Sequence, residues 1–155
     1  MHVLFVCTGN IFRSLTAEYA LRAALPAGSG IVVSSAGTED FPHVVKPMVS
    51  SYLLSRGFDV RQHRRRTLTD SILLRASAVI AMSTEHQRDL ADQFGRVDIP
   101  LFAQACGYPG ETLPDVDEAV ADHRTNPQAV EAHVCKTIDR IIELTPRLAR
   151  ELTRG

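Results

Sequence analysis

Short apolar runs alternate with stretches of helical spacing along most of this chain. Val3-Leu4-Phe5-Val6 is apolar without interruption, as a strand buried on both faces would be. Residues 15–25 are alanine-rich, with Ala17, Leu21, Ala24 and Leu25 on one side, and predict a helix that Pro26-Ala27-Gly28-Ser29-Gly30 ends. Residues 31–35 predict a second strand, and Ala36-Gly37-Thr38 turns out of it. Residues 46–56 place Met48, Val49, Tyr52 and Leu53 at helical spacing, with Gly57 where a C-cap belongs. Thr69 and Asp70 suit the cap of a short helix containing Ile72, Leu73 and Leu74. Residues 76–82 predict a third strand, Ser83 a cap for a helix over 84–94, and residues 99–102 a short fourth strand.

From residue 103 to about 126 no long periodic element is evident, and a loop of that length in a small domain is usually functional or mobile. The last segment is the clearest helix. Val130, Val134, Ile138, Ile141 and Leu148 share one face, with Glu131, Lys136, Asp139 and Arg140 opposite. Pro146 is expected to kink or end it. Strands alternating with helices imply right-handed crossovers and a parallel sheet, whose active site lies at the carboxyl ends of the strands. Cys7 sits at one of those ends.

Composition narrows the function. The 155 residues are 45% hydrophobic and 23% charged, enough for one folded domain over residues 1–155 and too apolar for general disorder. A net charge of −1 argues against an electrostatic grip on nucleic acid. No apolar run approaches the roughly 18 residues of a membrane span, and the start of the chain has no basic, secretory-type region. The cysteines at 7, 106 and 135 form no even set and no C-x-x-C, which reads as a reduced, cytoplasmic protein. Six histidines without ligand spacing predict no metal site.

The chemistry concentrates in Cys7-Thr8-Gly9-Asn10-Ile11-Phe12-Arg13-Ser14. A strand runs into a polar loop that opens with a cysteine, closes with Arg-Ser and becomes a helix. The helix would aim its dipole and free N–H groups back at Cys7, which favours a thiolate. Backbone N–H groups of residues 8–13 suit a nest around three phosphate oxygens, and Arg13 adds a bidentate fork. Gly9 permits close approach, Asn10 tolerates a left-handed conformation, and the Ser14 hydroxyl is placed to donate toward sulfur. The bare C-x5-R spacing also fits a buried structural cysteine with a chance arginine; the strand–loop–helix context favours chemistry. The loop lacks the Gly-Lys-Ser/Thr of a Walker motif, and its single glycine fits no dinucleotide fingerprint.

The segment from Cys7 to Glu18 resembles the signature of the low-molecular-weight protein tyrosine phosphatases, C-x-G-N-x-C-R-S-P-x-A-E. Ser35-Ala36-Gly37-Thr38, the third strand with His86, and Pro114-Asp115 extend the resemblance over essentially the whole chain. It implies a three-layer α/β/α fold on a four-stranded parallel sheet of order 2-1-3-4. It also implies metal-free and cofactor-free hydrolysis of a phosphotyrosine-containing protein substrate. Cys7 would attack phosphorus and form a phosphocysteine. Arg13 would bind phosphate with the loop of Thr8, Gly9, Asn10, Ile11, Phe12 and Ser14. Asp115 would be the general acid and base, with Asp117 as the rival. A monomer is expected.

The chain departs from the pattern in places. Phe12 replaces a cysteine able to trap oxidised Cys7, and Leu15 replaces a proline. The family's Asp-Pro-Tyr becomes Pro114-Asp115-Val116. There is no tryptophan, which leaves Phe12, Phe41 and His43 as candidates for the cleft mouth. The run from Arg61 to Arg66 reads either as a solvated loop or as a docking patch. Two other functions stay open: an arsenate reductase drawing on an external thiol, since Cys106 and Cys135 are too far apart for a relay pair, and a weakly active module that binds phosphorylated ligands.

Overall fold

In the computed structural model, which describes residues 1–154, β1 (His2–Cys7) is the centre of the sheet. β2 (Val32–Gly37) and β3 (Ala78–Ala81) pair with it in parallel, one on each side, giving the order β2-β1-β3. Side chains alternate along β1, so it feeds two cores. Val3, Phe5 and Cys7 face α1 (Arg13–Ala24) and α7 (Pro127–Thr153), meeting Ala17, Leu21, Ile141, Leu144 and Leu148. Leu4 and Val6 face the other side, against Leu73 of α3 (Asp70–Arg75) and Leu90 of α4 (Thr84–Phe94). Burying each such leucine contributes roughly 1.5–3 kcal/mol. A third cluster packs Val49 and Leu53 of α2 (Pro47–Ser55) against Phe12, Leu15, Val134 and Ile138, which ties α2 to the end of the loop after β1.

The expected fourth strand is reduced to one parallel bridge, Ala81 to Leu101, beyond β3. The Ala81 N–H donates to the Pro100 carbonyl at 3.0 Å, in the position that the order 2-1-3-4 assigns. Pro100 has no N–H for the ladder, and Phe102 already opens the short helix α5 (Phe102–Ala105). Apolar residues alone could not carry a strand through that sequence.

Pro146 does not end α7, which continues to Thr153. A proline inside a helix costs about 3 kcal/mol. Here Leu144, Thr145, Leu148 and Ala149 are all buried around it, so tertiary packing holds the helical path. Between α5 and α7 lies only the four-residue α6 (Val116–Ala119), in a segment otherwise made of turns and irregular backbone. No helix among the described residues is long and apolar enough to cross a membrane.

Candidate active site

Cys7 is the last residue of β1 and Arg13 the first of α1, so the five residues between them form a tight arch at the carboxyl end of the sheet. The arch is held from behind by its carbonyls. Those of Cys7 and Thr8 accept from the N–H groups of Thr38 and Glu39 at 2.9 and 3.1 Å. The Gly9 carbonyl accepts from Arg65 Nε at 3.1 Å, and that of Asn10 from His63 Nε2 at 2.9 Å. The Phe12 carbonyl accepts from the N–H of Thr16 at 2.9 Å and its hydroxyl at 2.8 Å. Among the described residues, the N–H groups of residues 8–12 have no acceptor within the chain. Engaged carbonyls and uncommitted N–H groups are what an anion-binding nest requires. β2 must pass close by: a Cβ on Gly37 would stand 2.5 Å from the Thr8 carbonyl oxygen, so only glycine fits there.

Asn10 takes the left-handed conformation expected of it, with φ of 56°. Its buried side chain is the hub of the loop. Nδ2 donates to Ser14 Oγ at 3.0 Å and to Ser35 Oγ at 2.7 Å, while Oδ1 accepts the Arg66 N–H at 3.0 Å. The Ser35 hydroxyl in turn donates to buried Glu18, which also pairs with Arg22 at 2.5 Å. Because Ser14 Oγ accepts from Asn10, its hydroxyl proton is free to point at Cys7 Sγ, 2.9 Å away. A thiolate sulfur can only accept, so Ser14 is the donor whenever Cys7 acts as a nucleophile.

His86 sits behind Thr8. Its Nδ1 accepts the Ser83 N–H at 3.1 Å, which places the proton on Nε2 and makes the 2.9 Å contact to Thr8 Oγ1 a donation from histidine. Burial, and then the positive charge of Arg13, push His86 down to about 3, so the ring stays neutral.

Arg13 is buried and turned toward the loop before α6. Nη1 donates to the Leu113 carbonyl at 3.0 Å and Nη2 to Asp115 Oδ2 at 2.8 Å. Asp115 Oδ1 accepts the Val116 N–H at 2.7 Å and so caps α6. His133, on α7, reaches the Pro114 carbonyl with Nε2 at 3.0 Å, necessarily as donor. Residues 113, 114 and 115 are therefore each anchored. Asp115 lines the pocket over Cys7, whereas Asp117 is exposed and does not.

That pocket has a volume of about 190 Å³. Cys7, Thr8, Gly9, Arg13 and Asp115 form its polar part. Ile11, Phe12, Met48, Val49, Val116, Val130 and Val134 form an apolar wall, and His43 and Lys46 add the remaining polar side chains. Of the expected aromatics, Phe12 and His43 line it. Phe41 does not: it is exposed and stacks edge-on against His43, ring centres 5.2 Å apart. Asn10 and Ser14 are buried behind the loop and organise it. Cys106 is buried, its thiol pushed up to about 12 by desolvation, and neither it nor Cys135 lines the pocket.

Sequence reasoning missed His63, Arg65 and His133, which act on loop carbonyls. Hydrogen bonds to backbone leave no pattern in the sequence; only the contiguity of Arg61 to Arg66 marked the first two.

The family model for low molecular weight phosphotyrosine protein phosphatases matches residues 2–154. The chain is 33% identical over 88 residues to a probable low molecular weight protein-tyrosine-phosphatase, EpsP, of Ralstonia solanacearum, a match covering 57% of this chain and 59% of that protein. It is 27% identical over 164 aligned positions to the protein-arginine-phosphatase of Bacillus subtilis strain 168, covering 99% of this chain and 98% of that one. A solved structure of the YwlE arginine phosphatase with a phosphorylated active-site serine superposes with a TM-score of 0.83 at 24% identity, covering 100% of this chain and 97% of the other, a likeness of fold.

Proposed function

Because the chain belongs to the low molecular weight phosphotyrosine protein phosphatase family, we propose that it hydrolyses phosphotyrosine and other aryl phosphate monoesters through a phosphocysteine on Cys7. The carrying observation is the split character of the pocket: an anion nest and a thiol together with an apolar wall. A cavity of about 150 Å³ suffices for a benzene ring. A phenyl group fits that wall. A phosphorylated guanidine would instead seek carboxylates, and among the described residues the one that lines the pocket, Asp115, is held by Arg13.

The residues divide the work as follows. Cys7 thiolate attacks phosphorus, supported by Ser14 and by the N–H groups of residues 8–12 around the equatorial oxygens. Arg13 is paired with the Asp115 carboxylate. A bound phosphate dianion competes for the same guanidinium, which releases Asp115 to carry a proton. Asp115 then protonates the departing phenolate, and its carboxylate accepts a proton from water in the second step, which frees phosphate from Cys7. The substrate is a phosphotyrosine-bearing protein, the enzyme acts as a monomer, and its three unpaired cysteines suit the reducing cytoplasm.

The similarity to an arginine phosphatase over nearly the full length supports phosphoarginine as the rival substrate. Turnover of p-nitrophenyl phosphate, a phosphotyrosine peptide and a phosphoarginine peptide separates the two. Phosphotyrosine is expected to be preferred by at least about tenfold in kcat/KM, roughly what a misplaced polar group in an apolar pocket costs. Cys7→Ser should be inactive. Asp115→Asn should lower kcat on the order of 10²-fold, and Asp117→Asn far less. Better hydrolysis of phosphoarginine would overturn the tyrosine assignment. Phosphate binding without turnover would leave ligand binding or arsenate reduction.

A further inference from the structure

Beside the catalytic pocket lies a second, shallower groove of about 380 Å³. The two are continuous, sharing Ile11 and His43. Arg61, Arg64 and Arg65 line the groove, and no carboxylate does among the described residues. Asp59 matches Arg61 and Glu39 reaches His43, so the excess positive charge here is that of Arg64 and Arg65.

Its arginines are not equivalent. Arg65 is spent on structure, donating to the carbonyls of Gly9 and Glu39. Arg61 forms a bidentate pair with Asp59, Nε to Oδ1 and Nη2 to Oδ2. Arg64 is exposed, and its guanidinium reaches only the carbonyl of His63, at 3.2 Å. It forms no ion pair among the described residues. The apolar side of the groove includes Val44, which is 75% exposed. Lys46, lining the catalytic pocket, extends the positive field toward Cys7.

We propose that this groove docks acidic side chains of the polypeptide that carries the phosphotyrosine, close to the phosphorylated residue. The inference rests on the phosphotyrosine reading of the adjoining pocket and names its substrate class: acidic flanking sequence. An uncommitted guanidinium is a ready fork for a carboxylate, and Val44 gives the peptide an apolar contact. Charges at such a rim act chiefly on the rate of encounter and depend on salt.

The test uses three phosphotyrosine peptides that differ only in flanking glutamates, glutamines or lysines. Wild type should favour the glutamate peptide over the lysine peptide by roughly tenfold in kcat/KM at low salt, a preference that shrinks as salt rises. Arg64→Glu should reduce it to about twofold or less while leaving p-nitrophenyl phosphate turnover unchanged. Equal rates on the three peptides, or a preference that Arg64→Glu does not move, would overturn the proposal with the phosphatase reading intact. Calorimetric affinity of the Cys7→Ser protein for the same peptides, with and without Arg64→Glu, reads the groove independently of turnover. Loss of aryl phosphate hydrolysis by wild type would therefore count against the catalytic reading alone.

Discussion

Phe12 stands where the family pattern has a second cysteine, and it is packed into the cluster with Leu15, Val49 and Ile138. Cys7 thus has no thiol beside it in the pocket, and buried Cys106 has a thiol too weakly acidic to resolve a sulfenic acid. Peroxide treatment is expected to inactivate the protein with little recovery on adding dithiothreitol. Phe12→Cys should restore most of that recovery, read as activity before and after reduction. Full recovery of the wild type would show that oxidation stops at a reducible state, a sulfenic acid, a sulfenamide or a disulfide, despite the missing loop cysteine. At this scale the sequence was informative: Cys7, Arg13 and Asp115 do converge on one pocket, and Asp117 stands outside it. The packing of Phe12 against α2 and α7 could not be read from the loop alone, because it depends on what those helices present.

Among the elements, α7 does two jobs. Its apolar face closes the core, and His133 holds the carbonyl next to the candidate acid. His133→Ala removes that donor while leaving Arg13 on Asp115. We expect kcat for aryl phosphates to fall about three- to tenfold with KM nearly constant, since one neutral hydrogen bond contributes about 1 kcal/mol to ordering the loop. His133→Gln should recover part of the loss; unchanged kcat in both variants would show that the contact does not position Asp115. The same helix runs through Pro146. Pro146→Ala is expected to stabilise the protein by about 1–3 kcal/mol, read as a higher urea midpoint at constant slope. A lower midpoint would mean that the proline ring supplies packing of greater value. The sequence pattern placed α7's buried face; of the kink or end expected at residue 146, the end does not occur. Local propensity is a term of a few kcal/mol, and the burial of four side chains around the proline outweighs it.

For the molecule as a whole, the two histidines packed behind the phosphate loop make stability sensitive to acid. His86 is pushed from 6.5 to about 3, first by burial, and His63 is lowered in the same direction by burial. The unfolded chain therefore takes up protons below about pH 6.5 that the native state refuses. The stabilisation is complete above that pH and is lost progressively as pH falls toward about 3 for His86. Each such proton contributes a slope of about 1.4 kcal/mol per pH unit. Urea unfolding at pH 7, 6 and 5 should show a shallower dependence for His86→Gln than for wild type; equal slopes would mean that His86 titrates normally. The sequence by itself determined the alternating α/β order, the central strand ending in Cys7, and the loop type, because hydrophobic period and the Cys-to-Ser motif are local properties. Only tertiary structure decided that the fourth strand is a single bridge, that His63 and Arg65 hold the loop carbonyls, that His133 anchors Pro114, and that the Arg64 guanidinium beside the site reaches only its neighbour's carbonyl. Those outcomes depend on which donors meet which carbonyls and carboxylates across 19 to 56 residues of chain, and a periodic pattern carries no information about such meetings.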